Sequence, residues 1–519
     1  MKRLPVDVSN FPLMINNNYL YIDKTQIIHH LITKRRLYFL SRPRRFGKSL
    51  LISTLKELFS GNKKLFKDLW ISKSDYKWPK HPVIQLDFSD ENFETSQEFA
   101  SSLSDTLDEI GKSFDIDVTD KTLLAPKFKK LITELSQKNS VVILIDEYDS
   151  PILNNIDNLV KAKAIQKVMK LFFNVIKSLD AKGYIHAVFI TGVTKFSKTS
   201  IFSGLNNLND ITLEPEAAAL LGYTKEELTS YFKEYADQFA KKSNSSTQKI
   251  FEDIQTWYNG YRFSRGNDKV FNPFSVIRCF DTQNITNHWL ETGTPGFLME
   301  LLKAQYTVLE DLENAEISAQ SLGTFEIGRL PIIPILFQAG YLTINTYNEE
   351  TQQYTLTYPN QEVGQSFKRY ILASLVKNDE RTVEKTTAQL KRALDENNIK
   401  LFCTALKSLL ANIPHNLHGK TESYYHSLFH VLMDALGLDS QSEVTSSVGR
   451  IDLVIQTKKR IFLFEFKFKS TAQLALNQII KQRYYEKYVH LKTPITLIGL
   501  SFNVKRKELF LDWIKKDLE

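Results

Sequence analysis

Apolar residues near the N-terminus form a short continuous run and then a helical pattern. The segment 36–41 is mostly apolar and aromatic, which predicts a buried strand. After a polar loop, apolar residues recur at helical spacing, and Gly61 follows as a plausible end of the helix. The residues of this pattern are Leu50, Leu51, Leu55, Leu58 and Phe59. The pattern predicts the order strand, loop, helix.

Further strand-like runs alternate with helical segments in the first 200 residues. Residues 141–145 are uninterruptedly apolar, as expected of a strand buried on both faces. Shorter apolar runs lie within 81–90 and 184–198. Because strands that alternate with helices form parallel sheets, the sequence predicts a doubly wound α/β sheet.

The loop after the first strand has the composition of a phosphate-binding loop. In "FLSRPRRFGKSL", Gly47-Lys48-Ser49 matches the end of the pattern G-x-x-x-x-G-K-[ST], but Arg42 occupies the first glycine position. Lys48 would reach the β- and γ-phosphates of a nucleotide, and Ser49 would ligate Mg²⁺. The residues predicted to hold the nucleotide here are Arg45, Phe46, Gly47, Lys48, Ser49 and Leu50. The alternative is a basic turn before a helix.

Carboxylates follow the apolar run 141–145. Asp146 is predicted to hold Mg²⁺ through water, and Glu147 to polarise the attacking water. At the end of the next strand, Thr191 is a candidate to contact the γ-phosphate, as are Thr194 and, more weakly, Lys195. The alternatives are an acidic turn after a core strand and ordinary strand-end residues.

A small helical lid is predicted after the nucleotide-binding part of the chain. Thr224 and Glu227 have the spacing of a capping box at the start of a helix that runs to residue 242. Asn259-Gly260 predicts a hairpin between aromatic flanks. Arg262 could reach a γ-phosphate from such a lid, although a surface position is favoured.

Residues 330–363 predict a helix and two strands that are joined by a polar turn at 347–353. This order resembles a winged-helix module. Such modules bind DNA or serve as packing units, and the packing role is favoured here.

Residues 449–468 predict two strands that carry charged groups. Asp452 lies in the first strand, and Glu465 and Lys467 lie two residues apart in the second, on one face. Charged groups on a buried strand need compensation, and two carboxylates suit Mg²⁺. Asp452 and Glu465 would therefore bind the metal, while Lys467 positions water or stabilises developing charge. The alternative is a structural Glu–Lys pair.

Helices flank these two predicted strands. Glu422 or His426, one turn apart on a preceding predicted helix, could complete the metal site. A helix is also predicted at 471–489, and a strand at 494–503 is expected to close this part of the chain.

Composition sets further bounds. A chain of 519 residues corresponds to roughly three domains. A net charge of +8 is compatible with nucleic-acid contact and equally with an ordinary, slightly basic protein. Two cysteines, Cys279 and Cys403, exclude a disulfide framework and favour a reducing compartment. Without a secretory signal or a run of about 18 apolar residues, a cytoplasmic location and no membrane partner are expected.

Taken together, the motifs resemble a bacterial and archaeal family of AAA-ATPase-like proteins in which a P-loop domain is fused to a C-terminal PD-(D/E)XK nuclease-superfamily domain. The resemblance runs through most of the chain, in the order YIDKT, FLSRPRRFGKSL, VVILIDEYDSPI, FSGLNNLNDIT, WYNGYRF, VFNPFSV, TGTPGFL, LFQAGYLTI, YPNQEV, YYHSLF, GRIDLVI, FEFKF and LNQI. The P-loop of that family also favours arginine and proline over glycine, so Arg42 does not indicate a lost site.

The resemblance implies an α/β fold in three parts. These are an AAA-like P-loop ATPase domain at 1–215, a helical lid and winged-helix-like region at 216–400, and a restriction-endonuclease-like α/β domain at 401–519. It implies ATPase roles for Lys48, Ser49, Asp146 and Glu147, and nuclease roles for Asp452, Glu465 and Lys467, with Glu422 assigned to the remaining acidic position.

Two functions are compatible with these patterns. The favoured one is an ATP-binding and ATP-hydrolysing protein whose C-terminal domain is a Mg²⁺-dependent nuclease gated by the ATPase. It would act on nucleic acid, with DNA favoured over RNA. The alternative is an ATP-dependent switch whose nuclease-like domain binds a partner without cleaving it. A homo-oligomer is left open, because AAA-like domains often form rings.

Overall fold

The computed structural model describes residues 1–89, 93–196, 201–202, 205, 207–289, 298, 312, 314–323, 327, 331–375, 380–411, 439–446, 449–457, 459–505 and 508–518. By their internal contacts, the residues form two compact units. The first comprises Met1–Phe297 and Leu312–Val363, and the second comprises Leu298–Asp311 and Gly364–Glu519. The division into three parts at residues 215 and 400 stays a prediction.

A five-stranded parallel sheet forms the centre of the first unit, in the order β2-β3-β4-β1-β5. Its strands are β1 (Leu37–Ser41), β2 (Val83–Asp87), β3 (Val141–Asp146), β4 (Ile185–Gly192) and β5 (Asn209–Asp210). The doubly wound α/β sheet predicted from the sequence is confirmed. Because β4 lies between β1 and β3, the phosphate-binding loop and the Asp146 carboxylate both border the end of β4.

Helices cover this sheet with their apolar faces. They are α1 (Phe11–Asn16), α2 (Thr25–Lys34), α3 (Lys48–Phe59), α4 (Ser96–Ser113), α5 (Leu124–Ser136), α6 (Ser150–Leu153) and α7 (Leu159–Asp180). Helix α5 packs on α7 through the stacked rings of Phe128 and Phe172, whose centroids are 4.1 Å apart. Two 3₁₀ turns, Lys63–Phe66 and Trp70–Lys73, follow α3.

A helical group follows the sheet: α8 (Lys225–Tyr231), α9 (Lys233–Lys242), α10 (Thr247–Tyr258) and α11 (Pro273–Thr282). The predicted capping box of Thr224 and Glu227 is confirmed, although the helix breaks at Phe232 into α8 and α9. The hairpin predicted at Asn259-Gly260 is wrong, because these residues follow the end of α10. Gly260 is required there, since a Cβ atom would lie 1.9 Å from the Pro359 carbonyl oxygen.

A small antiparallel sheet with two short helices completes the first unit. Its elements are β6 (Glu316–Ser318), α12 (Ala319–Gly323), α13 (Ile332–Ala339), β7 (Thr343–Asn348) and β8 (Gln353–Thr357), with the strand order β6-β8-β7. The predicted helix and two strands are present. The short strand β6 was not predicted.

The second unit contains a mixed five-stranded sheet in the order β13-β12-β11-β10-β9. Its strands are β9 (Asp439–Ser446), β10 (Gly449–Gln456), β11 (Ile461–Phe468), β12 (Ile495–Lys505) and β13 (Glu508–Leu518). β11 and β12 are parallel, and the other neighbours are antiparallel. The expectation that β12 closes this part of the chain is wrong, because β13 pairs along its whole length.

The remaining helices are α14 (Gln361–Leu375), α15 (Glu380–Asp395), α16 (Ile399–Ala411), α17 (Ala472–Lys481) and α18 (Glu486–Val489). The single helix predicted at 471–489 is therefore two, separated by a turn in which Arg483 has φ +51°. Helix α17 lies so close to β12 that a Cβ atom at Gly499 would be 2.2 Å from the Ala472 carbonyl oxygen. Within the described part of the chain, no helix has both the length and the apolar character needed to cross a membrane.

Candidate functional site

The phosphate-binding loop connects β1 to α3 through two left-handed residues. Arg45 has φ +67° and Gly47 has φ +93°, and α3 begins at Lys48. A glycine suits this conformation because it has no Cβ atom. The ammonium group of Lys48 is almost buried; it donates to the Pro43 carbonyl oxygen at 3.3 Å and lies 3.8 Å from a carboxylate oxygen of Glu147. The loop thus brings the amine and the carboxylate predicted for ATP chemistry to one place.

Arg42, at the position of the usual first glycine, faces the protein interior. Its guanidinium donates to the carbonyl oxygens of Ser41, Thr212 and Ala217 at 2.8–3.1 Å, and it lies 4.3 Å from the centroid of the Phe263 ring. The side chain is 1% exposed, and this burial lowers the pKa of the guanidinium to about 9. Arg42 therefore holds the loop to the segment after β5 and is not a phosphate ligand.

Aromatic residues from the predicted lid brace the same loop. The buried ring of Phe46 packs edge-on against Tyr261 and Phe263, with centroids 4.8 and 5.4 Å apart. The guanidinium of Arg45 lies 3.7 Å above the ring of Phe274. These contacts join the segments WYNGYRF and VFNPFSV to the phosphate-binding loop.

The end of β3 presents the predicted carboxylates. Asp146 is 2% exposed, and its Oδ1 atom accepts hydrogen bonds from the Thr191 hydroxyl and, at 3.0 Å, from the Glu147 amide. Thr191 is fully buried, and its hydroxyl contacts the Asp146 carboxylate. Glu147 has φ +48°, which turns its side chain toward Lys48. Burial raises the pKa of Glu147, and the nearby Lys48 partly offsets that rise.

Asp149 is a residue that the sequence analysis did not single out. Its carboxylate is 1% exposed and accepts hydrogen bonds from the amides of Val193 and Thr194 and from the Thr194 hydroxyl. Both donors of Thr194 are therefore hydrogen-bonded to the Asp149 carboxylate. Lys195 forms an ion pair with Asp210. The only sequence signal was the position of Asp149 within "IDEYDSPI".

The position of Arg262 also differs from the expectation. It was expected at the surface or near a γ-phosphate, but it is 6% exposed. Its guanidinium donates to the carbonyl oxygens of Ser264, Arg265, Gly266 and Asn345 at 2.6–3.2 Å. Arg262 therefore closes its own loop onto β7.

A cavity of about 460 Å³ adjoins the phosphate-binding loop. This volume is within the range of small-molecule sites, roughly 300–1,000 Å³. Its polar end is formed by Arg45, Gly47, Lys48, Ser49 and Glu147, and Phe46 and Leu50 also contribute. Its other walls are largely apolar and include Val8, Leu20, Ile22, Leu221 and Ile277. A cationic, amide-rich end and an apolar end fit the triphosphate and the base of a nucleotide.

The second unit brings together Asp452, Glu465 and Lys467. Asp452 accepts a hydrogen bond from the Phe466 amide at 2.7 Å, which fixes β10 against β11. Lys467 lies 3.7 Å from an oxygen of Glu465, as their shared face predicts. Glu465 is 1% exposed, and its Oε2 atom has no hydrogen-bond partner among the described residues. Burial, with a contribution from Asp452, raises the pKa of Glu465 to about 8.

A buried, unsatisfied carboxylate oxygen next to a second carboxylate suits a hard cation such as Mg²⁺. Within the described ranges, however, no three His, Cys, Asp or Glu side chains are grouped as a metal site. Glu422 and His426, predicted to complete the site, lie outside the described residues. The described part of the site therefore contains two carboxylates and one lysine side chain.

Comparisons with known proteins match both halves of the chain. A family model described as a predicted AAA-ATPase matches residues 5–202, and one described as the PD-(D/E)XK nuclease superfamily matches residues 420–510. A protein of Azotobacter chroococcum mcd 1, named "Uncharacterized protein in vnfD 5'region", is 34% identical over 515 residues, which cover 97% of this chain and 96% of the relative.

A solved structure of the Aeropyrum pernix ORC1 protein in complex with DNA also matches, with 12% identity and a TM-score of 0.23 over 67% of this chain and 93% of that chain. Values this low support no inference about function. The similarity to the Azotobacter protein extends over almost the whole of both chains, and the two family models match in the same order as the predicted sites. The chain belongs to the family of AAA-ATPase-like proteins that carry a C-terminal PD-(D/E)XK nuclease-superfamily domain.

Proposed function

We propose that this protein binds and hydrolyses ATP in the cavity beside Lys48, and that its C-terminal domain is a Mg²⁺-dependent nuclease whose activity depends on the nucleotide state. The observation that carries the proposal is the presence of two separate chemical sites in one chain. One pairs a buried lysine with Glu147, and the other pairs Lys467 with two carboxylates.

At the first site, Lys48 and the amides at the start of α3 would bind the phosphates. Ser49 and Asp146 would hold Mg²⁺, which would neutralise charge on the phosphates. Glu147 would orient the attacking water and accept its proton. Its raised pKa favours that proton, and its contact with Lys48 keeps the carboxylate at the polar end of the cavity. Thr191 would act through Asp146, whose carboxylate it contacts.

At the second site, Asp452 and Glu465 would hold Mg²⁺, which would polarise the scissile phosphate and activate water. Lys467 would stabilise the negative charge that develops on the phosphate. The substrate would be nucleic acid, with DNA favoured over RNA. Glu422 would supply a further acidic ligand. In this proposal the ATPase domain is residues 1–215, the helical lid and winged-helix-like region is residues 216–400, and the nuclease domain is residues 401–519. The protein would be cytoplasmic.

A cleavage assay tests this proposal. Single-stranded and double-stranded plasmid DNA would be incubated with the protein and Mg²⁺ or Mn²⁺, with and without ATP. Asp452→Ala and Lys48→Ala would be compared with matched controls, Asp512→Ala on β13 and Lys56→Ala on α3, both of which change exposed side chains. We expect cleavage to be lost in Asp452→Ala, changed in Lys48→Ala and preserved in both controls.

Two outcomes would contradict the proposal in different ways. Cleavage that survives in Asp452→Ala would place the nuclease site elsewhere. If no variant cleaves any substrate but ATP is still hydrolysed, the nuclease part fails, and the result favours the nucleotide-dependent switch with a non-cleaving domain.

A further inference from the structure

The backbone at one exposed tryptophan of the first unit is hydrogen-bonded to two side chains. Trp70 begins the 3₁₀ turn Trp70–Lys73 and is 39% exposed. Its amide donates to a carboxylate oxygen of Asp23 at 2.6 Å, and the next amide, of Ile71, donates to the Thr25 hydroxyl at 3.1 Å. Asp23 and Thr25 belong to the segment YIDKT, and neither residue has a role in the two proposed sites. These contacts fix the backbone that carries the indole.

The indole ring is fixed as well. It packs against His29, with ring centroids 5.5 Å apart, and the His29 Nε2 atom lies 3.2 Å from an oxygen of Asp75. From His29, successive ring contacts lead inward through Tyr76, Trp78 and Phe66 to the fully buried Phe11, with centroid distances of 4.7–6.2 Å. Trp70 is therefore the outer end of a continuous series of tilted and edge-on ring contacts.

The segment that contains Trp70 is rich in lysine. Between residues 63 and 80 the chain has six lysines and two aspartates. Of the two aspartates, Asp75 contacts His29. The six lysines are all exposed: Lys63, Lys64, Lys67, Lys73, Lys77 and Lys80. Lys67 and Lys73 are each three residues from Trp70, which places their Cα atoms within about 11 Å of it. An exposed aromatic ring that is held by its neighbours, on a segment rich in lysine, is the combination that binds unpaired bases and their phosphates.

We propose that Trp70 and the six exposed lysines of residues 63–80, here called the Trp70 platform, form a binding surface for single-stranded nucleic acid. The indole would stack on a base, and the lysines would contact phosphates. Stacking on a ring already held in place loses little conformational entropy. Duplex bases are stacked on each other and cannot use the ring, so the platform distinguishes single strands from duplexes. The proposal shares a nucleic-acid partner with the proposed nuclease but uses none of its residues.

Binding would be measured by fluorescence anisotropy with labelled oligothymidylate, oligouridylate and duplex DNA, in EDTA and in the Asp452→Ala background. These conditions prevent metal-dependent cleavage, so binding is measured independently of the nuclease proposal. The variants are Trp70→Ala, Trp70→Phe and the triple change Lys67→Ala/Lys73→Ala/Lys77→Ala. The matched control is Lys163→Ala/Lys167→Ala/Lys170→Ala, which removes three exposed lysines from α7.

We expect Trp70→Ala to weaken single-strand binding roughly 5- to 150-fold. Trp70→Phe keeps a stacking ring and should retain most of the affinity, which separates loss of stacking from loss of folding. The triple lysine change should make the slope of log affinity against log salt concentration shallower by about 0.7 for each phosphate that is no longer neutralised, and the α7 control should not. The two single-stranded probes distinguish DNA from RNA as the source.

The proposal is overturned if Trp70→Ala binds as tightly as its parent, or if the α7 control loses as much affinity as the platform triple change. Equal binding of duplex and single strand, insensitive to Trp70, would indicate electrostatic attraction alone and would also overturn it. A protein that cleaves normally but fails this test refutes the platform and leaves the nuclease in place. A protein that binds single strands through Trp70 but never cleaves them supports the platform and refutes the nuclease.

Discussion

The carboxylate of Asp149 accepts two hydrogen bonds from Thr194, one from the amide and one from the hydroxyl, each 2.6 Å long. Three residues earlier in both segments, the Asp146 carboxylate likewise accepts a hydrogen bond from the Thr191 hydroxyl. Asp146 at the end of β3 and Asp149 in the turn that follows therefore both fasten the end of β4. Glu147 lies between them in the chain, so this double attachment determines where its carboxylate meets Lys48.

Removal of the Asp149 carboxylate should be much more damaging than removal of its hydroxyl partner. Asp149→Ala leaves the amides of Val193 and Thr194 and one hydroxyl buried without an acceptor, and we expect it to lower the free energy of unfolding by about 3 kcal/mol or more. Thr194→Val removes one hydrogen bond and should cost about 1 kcal/mol. Urea unfolding followed by fluorescence measures both.

Thr229→Val provides the control for that comparison, because its exposed hydroxyl donates only to carbonyl oxygens of its own helix. Equal losses for Asp149→Ala and Thr194→Val would show that Asp149 does not hold the end of β4. ATP hydrolysis should follow the same order as stability, since a displaced Glu147 no longer faces the polar end of the cavity.

Gly192 should not tolerate a methyl group. A Cβ atom at this position would lie 2.5 Å from a carboxylate oxygen of Asp149 and 2.7 Å from the ring of Tyr148. Overpacking a dense interior costs about 1–3 kcal/mol, so Gly192→Ala should lower the melting temperature and reduce ATP hydrolysis. Gly183→Ala is an instructive contrast, because nothing lies within 4 Å of a Cβ atom there and only its φ of +77° opposes the change. A smaller loss at Gly192 than at Gly183 would refute the steric argument.

Restoring the usual first glycine of the phosphate-binding loop should be harmful. Arg42→Gly removes the donor to three buried carbonyl oxygens and the cation above Phe263. We expect a loss of about 3 kcal/mol or more of unfolding free energy and weaker ATP binding, measured by urea unfolding and by titration with a fluorescent ATP analogue. Arg42→Lys should recover only part of both, because an ammonium group lacks the planar fork. Tighter ATP binding in Arg42→Gly would show that the arginine obstructs the loop.

The sequence predicted the parts of these sites that depend on neighbouring residues in the chain. Gly47-Lys48-Ser49 and the alternation that puts Glu465 and Lys467 on one face are local patterns, and the structure places both as expected. The alternation of strands and helices also predicted the parallel sheet.

Features that depend on distant contacts were missed. Arg42 owes its burial to carbonyl groups 170 and 175 residues away, and Trp70 owes its rigidity to Asp23, 47 residues earlier. Arg262 was expected at the surface because an arginine is usually exposed. Its guanidinium instead donates to three carbonyl oxygens of its own loop and to the carbonyl oxygen of Asn345, 83 residues away. Strand β13 was missed because at most three apolar residues are consecutive in it, whereas β11 begins with four consecutive apolar residues.

The buried Glu465 should make the second unit less stable as the pH rises. Its pKa is raised from 4.5 to about 8, so between these values the folded chain holds a proton that the unfolded chain has lost. The free energy of unfolding therefore falls as the pH rises through this window. Glu465→Gln imitates the neutral form and should be more stable than the parent by about 2–5 kcal/mol at pH 9 in EDTA, with little difference near pH 4.5.

Urea unfolding at several pH values measures this difference, with Glu486→Gln on α18 as a control that changes an exposed carboxylate. Addition of Mg²⁺ at high pH should stabilise the parent, because the cation offsets the buried charge, and should do less for Glu465→Gln. An identical pH dependence in the parent and in Glu465→Gln would mean that Glu465 titrates as an exposed side chain does.

The opposite pH dependence is expected for a histidine of the first unit, His186, near the start of β4. His186 stacks on His81, with ring centroids 3.8 Å apart. Burial, His81 and Arg36 lower the pKa of His186 from 6.5 to about 4. Between these values the unfolded chain binds a proton at His186 that the folded chain does not, so the free energy of unfolding falls as the pH falls. His186→Phe keeps a ring for the stack and should remove about 1–2 kcal/mol of this acid sensitivity, allowing for solvent screening.

Urea unfolding between pH 4 and 7 checks this against His490→Phe, which replaces an exposed histidine. An unchanged slope in His186→Phe would show that another group is responsible for the acid sensitivity.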